Sequence, residues 1–276
     1  MKRFAFILTL VLASCVAVPA SVSPEDSATE SASVSTPTNA DNKIKPPPLN
    51  ASWHIQYTGQ VKYDLEVDVY NLDLFDTDAS DIAQLHERNI YVMCYFSAGS
   101  FEDWRPDGNQ FPRETLGNDM EGWPGEKWLD IRQIDLLASV IESRLDLARE
   151  KNCDGVDPDN VNGYTNDTGF PLTYKDQRKF NMWLAQAAHA RGLAIGLKND
   201  IEQIPDLVSY FDWQLNEQCF YYEECEPLLL FILQGKPVFN IEYELSTREF
   251  CDDSDRMGFN SIRKHMNLDE YAEFCH

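Results

Sequence analysis

The sequence predicts an α/β protein, a (β/α)8 TIM barrel built as a single domain behind a disordered N-terminal linker. Eight short runs rich in apolar, aromatic and β-branched residues recur along the chain, helices or loops separate them, and each ends in polar or charged residues. Parallel strands covered by helices read as near-continuous apolar runs, and a barrel gathers strand ends from a whole chain around one cleft. A doubly wound sheet would alternate similarly, but no glycine-rich phosphate loop follows any strand.

The chain is 276 residues long, enough for one large domain with a sizeable core. Residues 1–20 read as a signal peptide: Lys2 and Arg3, an apolar run from Phe4 to Ala13 too short to span a bilayer, then Val18-Pro19-Ala20. Secretion follows, or tethering through a lipidated Cys15, because Leu12-Ala13-Ser14-Cys15 resembles a bacterial lipobox. Residues 21–49 are rich in Ser, Thr, Pro and Ala and have too few large apolar groups to order themselves. The triple proline at 46–48 stiffens the end of that linker, and residues 50–276 form the folded domain.

Within it, Trp53 to Tyr57 alternates as a first strand and Leu65 to Leu72 follows as a second, ending at Asp73. Asp78 suits the cap of a helix with Ile82 and Leu85 on its inner face. Ile90 to Phe96 is a buried third strand closed by Ser97-Ala98-Gly99-Ser100. Residues 101–132 show little periodicity but carry Trp104, Arg105, Asp107, Trp123, Pro124, Glu126, Trp128 and Asp130. A loop that long in a compact domain is usually functional. Ile134 to Lys151 has helical spacing, and the fourth strand then runs through Cys153-Asp154-Gly155-Val156-Asp157-Pro158-Asp159-Asn160, where Asp157 and Asp159 share a face. A helix over 176–191 and strands over 193–197, 213–216, 238–241 and 259–262 complete the set, ending at Lys198, Glu217, Glu242 and Arg263.

The formal charge of −23 becomes −25 once Lys2 and Arg3 leave with the signal segment. Such a field repels nucleic acid and anionic membrane and attracts cationic ligands. An even count of six cysteines remains after processing, which in an oxidising compartment favours disulfides. Cys219 with Cys225 clips one loop, Cys251 with Cys275 ties down the C-terminus, and Cys94 reads equally well as a buried free thiol. Asn50-Ala51-Ser52 and Asn166-Asp167-Thr168 are glycosylation sequons.

A catalytic metal is not expected: the five histidines show no ligand-pair spacing, and Val161 and Asn162 break the calcium-loop pattern begun by Asp157 and Asp159. No cofactor is expected either, and no Gly-x-Ser-x-Gly elbow supports a serine hydrolase. Carboxylates at strand ends are plentiful, which suits glycoside hydrolysis.

The runs Tyr95-Phe96-Ser97-Ala98-Gly99-Ser100, Gly122-Trp123-Pro124-Gly125-Glu126, Asp154 to Asn160, Gly196-Leu197-Lys198-Asn199-Asp200 and Asn216-Glu217-Gln218-Cys219 resemble, in order, glycoside hydrolase family 114, the endo-α-1,4-polygalactosaminidases. The resemblance implies a (β/α)8 catalytic domain that cuts α-1,4-linked galactosamine polymers internally. It implies a catalytic Asp at the end of the fourth strand and a catalytic Glu at the end of the sixth, here Asp159 and Glu217. The Asp-Asn pair also resembles the nucleophile strand of α-galactosidase-like barrels, which makes Asp159 the nucleophile, Glu217 the acid/base and retention the expected outcome. Asp157 and Lys198 are supporting groups, and Glu242 is a rival acid/base. Asp73, Tyr95, Trp123, Asp130 and Asn216 are candidate substrate contacts. The expected partner is a polysaccharide, cationic where deacetylated, bound by a monomer with no membrane span. The alternatives are a non-catalytic glycan-binding barrel and an exo-acting α-galactosidase-like enzyme.

Overall fold

A computed structural model of the chain describes residues 44–275; the expected signal segment, Cys15 and residues 21–43 of the expected linker lie outside the described residues. In chain order the strands and helices are β1 (Trp53–Gln56), β2 (Val69–Asp73), α1 (Ala79–Glu87), β3 (Tyr91–Ser97), β4 (Ser100–Glu102), β5 (Leu116–Asp119) and β6 (Glu126–Leu129). They continue with α2 (Ile134–Glu150), β7 (Gly155–Asp159), α3 (Tyr174–His189), β8 (Ala194–Lys198), α4 (Ile204–Leu207) and β9 (Trp213–Glu217). The last are α5 (Leu229–Leu233), β10 (Val238–Glu242), α6 (Thr247–Met257), β11 (Asn260–Arg263) and β12 (Glu273–Phe274).

Eight strands pair in parallel in the order β1-β2-β3-β7-β8-β9-β10-β11, and β12 adds antiparallel to β11. This is the expected TIM barrel. Its two ends meet through side chains: Trp53 Nε1 donates to Asn260 O at 2.9 Å, and Asn260 Nδ2 donates to Leu49 O at 2.9 Å. Leu49, expected in the linker, is thus held to the seam, and Lys45 O accepts from Tyr91 Oη at 3.0 Å.

Alternation along each strand produces two apolar clusters. Trp53, Ile55, Met93, Ala194, Trp213, Leu215, Phe239, Ile241 and Ile262 fill the barrel. Leu72, Val92, Val156, Ile195, Leu197 and Val238 face outward onto Ile82 and Leu85 of α1, Leu137 and Ile141 of α2, and Phe180 and Leu184 of α3. Each such fully buried side chain contributes about 1.5–3 kcal/mol. The Trp213 indole fits inside because position 196 is glycine: a Cβ there would lie 2.2 Å from its Nε1.

Two expectations change. Residues 65–68 belong to a loop, whose Val61, Tyr63, Leu65 and Val67 cover the outer face of the first strands; no helix follows β1 or β11 among the described residues. Alternating acids at 64, 66 and 68 gave that loop its strand-like period. The aperiodic insert holds a three-stranded antiparallel sheet, β4-β6-β5, with strands too short to show a period in sequence. Two buried arginines dock it: Arg105 grips Asp73 of β2 at 2.6 Å, and Arg144 of α2 grips Asp107 at 2.8 Å.

Cys219–Cys225 and Cys251–Cys275 pair as expected, and Cys94, read as equally a free thiol, bonds Cys153 across 59 residues. A barrel brings these two together because β3 and β7 are neighbours in space, Cys94 lying opposite Val156. Loop closure makes the long crosslink worth about 4 kcal/mol against about 2 for the six-residue one. The Cys94→Ser/Cys153→Ser variant is therefore expected to lose roughly twice the unfolding free energy that Cys219→Ser/Cys225→Ser loses in denaturant titrations. Equal losses would contradict this.

Candidate active site

At the C-terminal mouth of the barrel, inward parity brings one side chain from each of seven strands or their ends to a common rim: Tyr57, Asp73, Tyr95, Asp159, Lys198, Glu217 and Tyr243. The rim opens into a cleft of about 390 Å³, walled on the insert side by Trp104, Met120, Trp123 and Glu126. Trp104 and Trp123 are each 52% exposed. Gly122 and Gly125 frame Trp123 with φ of 83° and 92°, a turn open to glycine that holds the ring out from the surface.

Lys198 is the hub. Its Nζ lies 3.3 Å from Asp159 Oδ2 and 3.5 Å from Glu217 Oε2, and the side chain is 2% exposed. Burial opposes its charge, but Asp159, Glu217 and Asp157 outweigh burial and hold the ammonium well above the ordinary lysine range. Glu217 is half-buried, which favours its neutral form, yet Lys198 and hydrogen bonds from Tyr243 Oη and Asn199 Nδ2 keep it below the usual glutamate value. Asp159 accepts from Tyr95 Oη at 3.3 Å and from Asn160 N at 2.8 Å. The Tyr95 ring packs against Tyr57 at 4.2 Å between centroids, tilted by 32°.

One layer down, Asp157 is fully buried, accepting from Asn71 Nδ2 at 2.9 Å and Tyr57 Oη at 3.3 Å. Burial pushes its pKa up to about 6 despite Lys198, and Asp159 adds to the rise. Beside one lysine, burial thus raises Asp157 while Glu217 is held low.

Each of the three strands carrying this cluster turns sharply at its end through left-handed residues: Asn160 at φ 61°, Asn199 and Asp200 at 49° and 44°, and Gln218 at 65°. These side chains hold the turns. Asn199 Oδ1 accepts from Glu217 N at 2.9 Å, and Asn160 Nδ2 reaches Ser97 Oγ, Ser100 Oγ and Glu126 Oε1. At Gly99 a Cβ would lie 1.7 Å from Asn160 O, so only glycine lets the two turns approach. Glu126, whose carboxyl accepts from Ser100, is raised by burial to about 7.

The remaining candidates sit elsewhere. Glu242 has outward parity, is fully buried, and accepts from Phe220 N at 3.0 Å and Asn240 Nδ2 at 3.2 Å; it does not line the cleft. Asp130 is buried against Arg132 at 2.6 Å and also lies off the cleft. Asp73 lines it, but both oxygens are taken by Arg105. Asn216 faces outward beneath a second lobe of about 380 Å³, which meets the first at Asn162, Asn199 and Glu217. Tyr57 and Tyr243 were missed in the sequence, while Asn199 and Glu126 stood in its motifs without an assigned role. For Tyr243 the signal was present: it shares parity with Phe239 and Ile241, whereas Glu242 does not.

The family model for glycoside-hydrolase family GH114 matches residues 34–276. Among solved structures, Ega3 of Aspergillus fumigatus, in complex with galactosamine, is 41% identical with a TM-score of 0.80, over 86% of this chain and 100% of that one. The glycoside hydrolase domain of PelA from Pseudomonas aeruginosa shares the fold at 15% identity, with a TM-score of 0.65 over 81% of this chain and 98% of that one. No match was found among curated proteins.

Asp200, 3% exposed beside this cluster, has its pKa raised by burial from 3.8 to about 8. The folded chain therefore keeps a proton that the unfolded chain releases, so this stabilising contribution is intact below pH 3.8 and is lost as pH rises through about 8. Asp200→Asn, which can still accept from Asn181, is expected to flatten the fall in stability between pH 4 and 8, read as thermal midpoints across that range. An unchanged slope would show that Asp200 carries no such proton.

Proposed function

The chain belongs to glycoside hydrolase family GH114, and from that premise we propose that it is a secreted, endo-acting enzyme that cleaves α-1,4-linked galactosamine polymers. The observation that carries this reading is the Lys198-bridged pair of carboxylates, one of which, Glu217, stands where two open lobes meet. Chain-internal cutting needs room for sugar on both sides of the scissile bond, whereas an exo-acting enzyme needs one closed end. A formal charge of −23 suits a polymer whose free amines are protonated. The similarity to a structure holding galactosamine supports the same sugar.

In the reaction, Asp159 attacks the anomeric carbon while Glu217 donates a proton to the departing oxygen. The C–O bond breaks and a glycosyl–Asp159 ester forms. Glu217 then takes a proton from water as that water attacks the same carbon, restoring Asp159 as the carboxylate. One ammonium lying 3.3 Å from Asp159 and 3.5 Å from Glu217 holds the two carboxylates close together, which supports the shorter, retaining spacing.

Lys198 also suits the change of role. With Asp159 ionised, the ammonium is shared; once Asp159 is esterified, Lys198 serves Glu217 alone and favours its anionic, basic form. Glu217 is already held low in the free cleft, so the protonated enzyme needed for the first step is scarce at neutral pH and activity is greatest on the acid side.

Galactosamine polymer digested and followed by size and by anomeric NMR is expected to lose chain length before monomer accumulates, with α-configured new ends, and Asp159→Asn is expected to abolish this. Monomer as first product would favour the exo reading, and binding without shortening would favour the glycan-binding one.

A further inference from the structure

Beyond Glu217 the second lobe is lined by Tyr164, Asp200, Glu202, Asn216, Tyr222 and Glu224, and no lysine or arginine lines it. Two polar side chains in its lining are more than nine-tenths buried and lack a partner for one atom: Oδ1 of Asn216, 1% exposed, and Oδ1 of Asp200, 3% exposed. Buried polar atoms are nearly always paired, so orphaned ones at the wall of a lobe point to a ligand.

The wall is also preset. Tyr222 and Glu224 sit on the loop closed by Cys219–Cys225. Within it Tyr222 N donates to Gln218 O at 3.0 Å and Glu224 N to Cys219 O at 2.8 Å, with Gln218 and Glu223 left-handed. Glu242, off the cleft, steadies the same loop by accepting from Phe220 N. The Tyr222 ring nevertheless remains 60% exposed. A large aromatic held in the open by a crosslinked loop has its ordering cost met during folding rather than on binding.

We propose that this lobe is the binding subsite for the leaving-group sugar, taking an aminohexose whose ring stacks on Tyr222 and whose ammonium lies by Glu224 and Glu202. The assignment rests on the reading of Asp159 and Glu217 given above. Asp159 lines only the first lobe while Glu217 lines both, so the sugar attached to the nucleophile occupies the first lobe and the departing sugar the second. Sugar hydroxyls are the donors that Asn216 Oδ1 lacks.

The test is calorimetric binding of a galactosamine tetramer to the Asp159→Asn variant, alone and combined with Tyr222→Ala or Glu224→Gln. Each addition is expected to weaken the tetramer about three- to tenfold, and Glu224→Gln to weaken the fully N-acetylated tetramer much less. Matching thermal midpoints establish that the fold is retained. An unchanged dissociation constant for the tetramer in both variants overturns the subsite, and equal losses for the two tetramers overturn its preference for an ammonium. Turnover is a separate readout. If the unmodified chain shortens galactosamine polymer while both variants bind the tetramer normally, the subsite falls and the function stands. If it shortens none, yet Tyr222→Ala weakens the tetramer, the function falls and the lobe stands as an aminohexose-binding site alone.

Discussion

One buried ammonium organises the mouth of this barrel. Lys198 stands on β8 between β7 and β9, and contacts a carboxylate from each neighbour. An unpaired charge of either sign would be costly at that depth, so the three side chains stabilise one another and none can be removed without leaving the others uncompensated. The same arrangement makes Asp159 and Glu217 neighbours at a fixed spacing. Asp157 below them completes the charge balance by rising to about 6 and holding a proton into the mildly acidic range.

The rest of the structure serves that geometry. Parity fills the lower barrel with Trp53, Trp213 and Phe239, and leaves the last inward positions of seven strands or their ends to line the cleft. Left-handed asparagines end the strands abruptly, so the functional side chains stand at the rim rather than being buried under a continuing strand. The insert, pinned by Arg105 and Arg144, supplies the aromatic wall. Asp73 is part of that anchor: its carboxylate neutralises Arg105, which leaves it little capacity to hold a sugar.

Much of this was legible in the residues. Eight apolar runs gave the barrel, and their polar ends gave Asp159, Lys198 and Glu217 as strand-end groups. Asp157 and Asp159 share a face by simple alternation, as the structure has it. The same alternation separates Tyr243 from Glu242, yet the acid drew attention because its chemistry, not its parity, was weighed. Other features depend on distance through space. Cys94 and Cys153 are joined only because β3 and β7 are adjacent, and Asp130 near Arg132 looks, in sequence, like any acid in a functional loop. Glu126 and Asp200 carry raised pKa values through burial, a quantity that no local pattern reveals.

The direct test of the shared lysine is the pH profile of kcat/KM on galactosamine polymer for Lys198→Met beside Lys198→Arg. Removing the positive charge withdraws what holds Glu217 ionised, so the fall in activity at high pH should move upward by about 1–3 pH units in Lys198→Met, with turnover reduced, and should stay in place in Lys198→Arg. A high-pH limb that does not move in Lys198→Met would contradict the claim that one ammonium sets the protonation of Glu217.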